Sequence, residues 1–289
     1  MSEKTAQRRL GLALGGGGVR GLAHIGVIKV LESAGIPVAY LAGSSMGGLI
    51  GALFAAGWTG EELEQEVLSR TKFRQMVKLV DLGPSRRGFL VGQRVREQLD
   101  ELIGNELSFA QLRIPLALTA VDLCTAKEVI LCTGSVLEAV LATTAVPGLM
   151  PPVVMNGCQL IDGGILNNVP ADVARAGGAD VIAAVDVHPP FPSDPSQNPE
   201  ENEKTWPAIF PQFAQDFYTA ELIMVNALTQ LRIAQSPPDL LIQPPIPDGI
   251  SIFWGFTRAR EAIAAGEESA RQALPVLEKL LVHSGVGVG

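Results

Sequence analysis

Histidine, cysteine, tyrosine and basic charge are scarce in this sequence, and each scarcity closes off a chemistry. The cysteines Cys124, Cys132 and Cys158 are odd in number and lack any Cys-x-x-Cys spacing, so neither a disulfide framework nor a zinc site is expected. The sequence requires no metal and no cofactor, and a reducing, cytoplasmic setting fits it best. Lysine and arginine number 22 against 30 aspartates and glutamates, for a net charge of −8 and a pI near 5.0. Nucleic acid is excluded as a partner, since its binding rests on basic contacts to phosphate. Anionic membrane surfaces get no general attraction either. Long apolar runs are also few. Residues 38–58 carry no charge over a length that could span a bilayer. Glycines and serines interrupt them, however, and they divide into a strand, a turn and a helix. The first nine residues are polar, and the apolar run after them breaks at glycines 15–18 before reaching signal-sequence length. Arg8-Arg9 reads as part of a solvated tail in preference to a twin-arginine export signal.

What is present suits a deeply buried sheet: 47% hydrophobic residues, 18% charged residues and a mean hydropathy of +0.27. A chain of 289 residues supports one large α/β core. No linker divides it, so a single domain over residues 1–289 is expected, with a motif-bearing core at about 9–190 and a C-terminal helical portion at about 205–289.

The chain is organised around Leu41-Ala42-Gly43-Ser44-Ser45-Met46-Gly47-Gly48, a strand end followed by an apolar helix through Leu49, Ile50, Leu53 and Phe54. Gly43-x-Ser45-x-Gly47 in that setting is a nucleophile elbow. The turn is so sharp that glycines two residues either side avoid clashing, and the serine hydroxyl is left at an exposed tip. Ser45 is the candidate nucleophile. Upstream, the strand Leu10-Gly11-Leu12-Ala13-Leu14 runs into Gly15-Gly16-Gly17-Gly18-Val19-Arg20-Gly21 and then a helix. Gly16-x-Gly18-x-x-Gly21 has the spacing of a dinucleotide fingerprint. The second strand nevertheless ends in Gly43-Ser44-Ser45, without the carboxylate that would hold a ribose. Such a loop aims backbone N–H groups at one anion, a phosphate or the oxyanion of acyl transfer, with Gly17 and Gly18 the leading donors.

A base for Ser45 is harder to find. His24 lies among Leu22, Ala23 and Ile25 and reads as a packed core histidine, and His283 is in the tail. His188 follows the apolar strand Val181-Ile182-Ala183-Ala184-Val185-Asp186-Val187, where a Ser-His-Asp triad could place its histidine. Asp162 is the other candidate. Leu160-Ile161-Asp162-Gly163-Gly164 puts a carboxylate at a strand end within tight glycine geometry, a pattern that an ordinary Asp-Gly turn also produces.

Taken in order, the loop Gly16-Gly17-Gly18-Val19-Arg20-Gly21, the elbow, the segment Glu138-Ala139-Val140-Leu141-Ala142-Thr143-Thr144-Ala145-Val146-Pro147 and the turn Asp162-Gly163-Gly164 resemble the patatin-like phospholipases. The resemblance covers roughly residues 9–190, and small bacterial members and the catalytic domain of neuropathy target esterase-like proteins are nearest in character. It implies a three-layer α/β/α sandwich with a mainly parallel central sheet, and a Ser-Asp dyad without histidine. Ser45 is then the nucleophile, Asp162 its partner, and the loop Gly16, Gly17, Gly18, Val19, Arg20 and Gly21 the oxyanion hole. It also implies hydrolysis of phospholipid or lysophospholipid esters, in the cytoplasm or peripheral to a membrane with transient contact to its surface. For this chemistry the Asp162 pKa must rise from about 3.9 by partial burial, for which Ile161 and Ile165 are well placed. Two other readings use the same residues. One is an acyltransferase or thioesterase, and the other a non-catalytic regulatory or nucleotide-binding module built on the glycine loop.

The remainder reads as scaffold. Amphipathic helices are expected at 59–70 and 93–103, and a pair of buried strands at 116–121 and 128–132. Lys72, Arg74, Lys78, Arg86, Arg87, Arg94 and Arg96 form the one basic concentration, a solvated surface or a headgroup contact. Arg20 either pairs with a carboxylate or attracts a lipid phosphate. Residues 189–207, with prolines and acidic clusters, read as a surface loop. Phe213, Phe217, Ala220, Met224, Leu228 and Leu231 then recur at helical spacing, as a core stripe, a seam between copies in a homodimer, or a lid or acyl-chain wall. A strand at 240–242 and a helix at 257–282, strained at Pro275, close the chain.

Overall fold

The computed structural model describes residues 8–70, 92–188, 212–251 and 254–282. Lys72, Arg74, Lys78, Arg86, Arg87, His283 and the expected loop at 189–207 lie outside the described residues, as does the side chain of Phe213.

The strands are β1 (Leu10–Leu14), β2 (Val38–Gly43), β3 (Leu116–Asp122), β4 (Lys127–Leu131), β5 (Val153–Met155), β6 (Cys158–Asp162), β7 (Val181–Val185) and β8 (Leu240–Ile242). They form one sheet in the order β5-β6-β3-β2-β1-β7-β8, with β4 also paired to β3. Pairing is parallel from β3 through β2, β1 and β7 to β8, and antiparallel where β4, β5 and β6 build the margin. The helices are α1 (Ala23–Ser33), α2 (Ser45–Ala56), α3 (Gly60–Arg70), α4 (Gln93–Ile103), α5 (Val136–Thr143), α6 (Gly164–Asn167), α7 (Ala171–Ala176), α8 (Gln212–Gln235) and α9 (Ala259–Leu281).

The two faces of β1 explain the layering. Leu10, Leu12 and Leu14 point into the larger core with residues of α1, α2 and α9, while Ala13 faces a thinner core with Val173 and Ala174 of α7. Burying each leucine stabilises the fold by about 1.5–3 kcal/mol. Small residues on the second face let α7 and the turn after it approach: a Cβ at Gly11 would lie 3.5 Å from the Ala174 Cβ of α7 and 2.6 Å from that of Ala179 beyond it. Helices therefore cover both faces of a mixed sheet, as the three-layer reading anticipates.

Register brings the key loops to one edge. Leu14 pairs with both Gly43 and Val185, and Gly43 pairs with Leu118, so the chain leaves β1, β2 and β7 side by side. Antiparallel β6 ends with Asp162 opposite Ala120, beside that row. This carboxyl edge is where open α/β sheets build their sites.

The helices at 59–70 and 93–103 are present, the first opened by a capping box in which Glu62 N–H donates to Thr59 Oγ1 and Thr59 N–H to Glu62 Oε2. Only one of the two strands expected to be buried is so: β3 is buried throughout, whereas β4 pairs with β3 alone and leaves Ile130 exposed. Residues 38–58 are β2, the elbow and α2, and among the described residues no helix is long and apolar enough to cross a membrane.

α9 runs unbroken through Pro275 and crosses α1 at two glycines. A Cβ at Gly266 would lie 1.9 Å from the Ala23 carbonyl oxygen, and one at Gly26 would lie 2.0 Å from that of Ile263. Gly266→Ala is expected to destabilise the protein by about 2 kcal/mol, because main chain and not a flexible side chain must yield. A urea midpoint unchanged from the parent would contradict the crossing.

Candidate active site

Ser45 begins α2 with a φ of 50°, in the left-handed region that non-glycine residues rarely enter, while Ser44 before it is extended. The glycines around the turn are a steric requirement. A Cβ at Gly47 would lie 2.3 Å from the Leu14 carbonyl oxygen, and one at Gly43 would lie 2.6 Å from Gly48 Cα. Hydrogen bonds hold the strained turn from two sides: Ser44 N–H donates to Leu14 O (3.1 Å) and Ser45 N–H to Thr143 Oγ1 (2.9 Å).

Asp162 is 5% exposed. Its N–H donates to Ala145 O (3.0 Å), and its Oδ1 accepts from Gly164 N–H (2.8 Å). The Ser45 side chain lies close enough to the same carboxylate to hold its pKa down. Burial raises the Asp162 pKa to about 6, against the opposing pull of the Ser45 and Gly164 hydrogen bonds and the charge of His188. The end of α5 and the residues just after it thus steady both, Ser45 through Thr143 and Asp162 through Ala145. Gly163 must lack a side chain because a Cβ there would lie 2.2 Å from Thr119 Oγ1.

The glycine loop divides into committed and open amides. Gly15 N–H donates to Val185 O (3.0 Å), Gly16 N–H to Asn168 O (3.1 Å) and Arg20 N–H to Gly17 O (3.2 Å). Gly17 and Gly18, which line the cleft with Gly16, donate to no backbone carbonyl among the described residues. Val19 is buried, and Gly21 abuts Met46.

Arg20 is buried and donates Nε to Val187 O (2.7 Å) and Nη1 to Ile250 O (3.1 Å), near Asp186 and Asp248. Its hydrogen bonds thus run inward to main-chain carbonyls, and among the described residues it forms no ion pair with the carboxylate expected as one of its alternatives. His24 is fully buried, hydrogen-bonded through Nε2 to Gly15 O (2.7 Å), and burial lowers its pKa to about 4. It is a core histidine. His188 lines the cleft with Ser45 and Asp162, and its hydrogen bonds run to Asn168 and Asp186.

α8 roofs the cleft, a cavity of about 60 Å³, with Tyr218, Glu221, Leu222 and Val225. Burial, then Asp162, raises the Glu221 pKa, and burial, then Glu221 and Asp162, raises that of Tyr218. The core stripe expected on this helix is overturned: Phe217, Met224 and Leu231 are 70%, 62% and 61% exposed. Spacing identifies an apolar face but not which way it turns. Here Arg232 fixes the rotation by pairing with Glu128 (2.6 Å) and Asp172 (3.0 Å), both of which also accept from Asn167.

Sequence reasoning passed over Thr143 and Asn168, although both lie within or beside the motifs it quoted. It passed over Tyr218 and Glu221 because nothing local sets them apart. Among the described residues no group of three His, Cys, Asp or Glu side chains is arranged to hold a metal ion.

A strained serine beside a buried carboxyl, at the carboxyl edge of the parallel strands of a mixed sheet, defines the class of α/β proteins organised around a serine elbow. The family model for patatin-like phospholipases matches residues 12–175. The chain belongs to that family. An NTE family protein of Mycobacterium tuberculosis is 36% identical over 180 residues, 62% of this chain and 49% of that protein. Neuropathy target esterase sws of Drosophila melanogaster is 35% identical over 182 residues, 62% of this chain and 13% of that protein. The match thus spans half or less of these relatives' length. Among solved structures, VipD from Legionella pneumophila shares the fold with a TM-score of 0.60 at 14% identity, over 94% of this chain and 67% of that one.

Proposed function

We propose that this protein is a serine-dependent lipid acyl hydrolase that cleaves carboxylic esters of phospholipids or lysophospholipids with a Ser45–Asp162 dyad. One observation carries the reading: Ser45 and a buried Asp162 line one cleft, where burial raises the carboxyl pKa to about 6 and the neighbouring serine pulls it back down. A base with a value near the working pH couples proton transfer to attack best, and a solvated aspartate near 3.9 does not meet that need.

In the proposed cycle Asp162 takes the Ser45 proton as Oγ attacks the ester carbonyl. The N–H groups of Gly17 and Gly18 hold the developing oxyanion. Asp162 returns the proton to the leaving alcohol as the C–O bond breaks. Water then gives a proton to the same carboxylate and attacks the acyl-serine, releasing the fatty acid and restoring the Ser45 hydroxyl. Val146, Ile165, Leu222 and Val225 supply apolar wall for the acyl chain.

The test is an alkyl fluorophosphonate probe followed by product analysis on phospholipid and lysophospholipid vesicles. The expected result is one phosphonyl adduct on the peptide carrying Ser45 and release of free fatty acid. A protein that takes no label and releases no fatty acid is not this hydrolase. Transfer of the acyl group to an added alcohol or thiol in preference to water would favour the acyltransferase or thioesterase.

A further inference from the structure

His188 is the titratable side chain of the cleft that the dyad leaves unused, and the surrounding bonds define what it offers. Its ring is nearly buried and lines the cleft with Ser45 and Asp162. Asn168 Nδ2 sits 2.8 Å from His188 Nδ1 and 3.4 Å from Gly16 O. The Gly16 carbonyl can only accept, so it keeps the NH2 end of the amide on this side, and that NH2 donates to Nδ1. Asn168 is itself 3% exposed, with its Oδ1 packed where a Cβ of Gly16 or Gly164 would fall, 2.6 and 2.8 Å away. It cannot turn without disturbing both loops. An imidazole that accepts at Nδ1 carries its proton on Nε2.

Asp186 strengthens this arrangement. Its Oδ1 accepts the His188 main-chain N–H (3.0 Å) and stands 3.7 Å from Nδ1, too far for a hydrogen bond but near enough to receive one after a small shift. Nε2 has no hydrogen-bond partner among the described residues, and it is not among their sealed, unsatisfied atoms. It is not sealed from solvent, and His188 shares the cleft with Asp162, Glu221 and Tyr218.

We propose that His188 is a catalytic hydrogen-bond donor whose Nε2–H binds the leaving-group oxygen of the ester, with Asn168 as the positioning residue that sets its tautomer. The inference rests on the hydrolase reading above. In the acylation step the Ser45 Oγ–carbon bond forms and the carbon–alcohol oxygen bond breaks, while the Ser45 proton passes through Asp162 to the departing alkoxide. His188 keeps its own proton throughout and shares the charge that builds on the leaving oxygen, which departs on the Asp162 side. The donor matters most when the leaving group is a poor one. An alkoxide needs it, whereas a stabilised aryl oxide does not.

The experiment compares an alkyl ester, a lysophospholipid, with an aryl ester, p-nitrophenyl butyrate, in the parent, His188→Phe and His188→Gln, all rates being expressed per fluorophosphonate-titrated Ser45. His188→Phe is expected to lower kcat/KM for the alkyl ester by about 10²-fold, with a loss on the aryl ester at least tenfold smaller. His188→Gln, whose amide N–H reaches the same place, restores most of the difference. Asn168→Leu is expected to reproduce the leaving-group dependence in milder form. Equal losses on both esters, no loss on either, or a glutamine variant no better than phenylalanine would overturn the assignment. Should His188→Phe not fold, His188→Asn, too short to reach, takes its place under the same criteria. A parent protein with no titratable Ser45 would instead defeat the hydrolase reading itself.

Discussion

Asp162→Asn is expected to lower turnover by about 10⁴-fold while substrate binding changes little. The amide keeps the shape of the carboxylate and its contact with Gly164 N–H but cannot accept the Ser45 proton. Ser45→Ala should fall to the same floor, and the double variant no lower, because two side chains acting as one unit do not contribute additively. In the parent, kcat/KM should drop tenfold per pH unit below about 6, where Asp162 becomes protonated, and level off above it. Glu221, Tyr218 and His188 face the same cleft. A plateau that begins well below pH 5 would show that some other group serves as base.

The same raised value is a statement about stability. The carboxyl goes from 3.8 to about 6 on folding, so its protonated form is favoured in the folded chain. Its stabilising contribution is full below pH about 4 and is lost as pH rises through about 6. Above that, the ionised carboxylate costs about 3 kcal/mol. Asp162→Asn should therefore melt higher than the parent at pH 8 and show no such advantage at pH 4. A site that gains stability when it loses activity is one held in a strained state for its chemistry.

Gly47→Ala is the second large effect. The added methyl would lie 2.3 Å from Leu14 O and 2.5 Å from Gly15 O, both main-chain atoms where β1 passes into the glycine loop. Neither can step aside, so the elbow and the oxyanion loop must part. A displacement on the order of 1 Å costs roughly 10²-fold in rate or more, together with about 1–3 kcal/mol of stability. Gly51→Ala in the same helix is the control. Its nearest neighbour would be 3.6 Å away, and it should leave turnover within about threefold and add up to about 1 kcal/mol of stability. Comparable losses in the two variants would mean that a side chain anywhere on this helix is harmful, and that the close approach at the elbow is not what governs the effect.

Legibility followed the range of the forces involved. β1, β2, α1 and α2 could be read because alternating leucines and framing glycines carry local geometry, and Ser45 stood out because its turn permits few residue types. Asp162 was legible only in company, since Asp-Gly by itself also describes an ordinary turn. The orientation of α8 was not legible: its apolar spacing says that one face is greasy, while its rotation depends on Arg232 meeting Glu128 and Asp172, 104 and 60 residues away in the chain. The exposure of β4 had the same origin, because an edge strand differs from a central one only by having a single neighbour.

The chain by itself determined its turns: where a serine must be strained, where an anion would meet glycine amides, and where a carboxylate closes a strand. Those are local outcomes of sterics and backbone hydrogen bonding. Only the tertiary structure decided that Ser45 and Asp162 line one cleft, that burial lifts the carboxyl to about 6, that Arg20 turns inward, and that Asn168 lies against the His188 ring. Each of these depends on distance and desolvation between distant segments, which exist only once the sheet has brought its strand ends to a common edge.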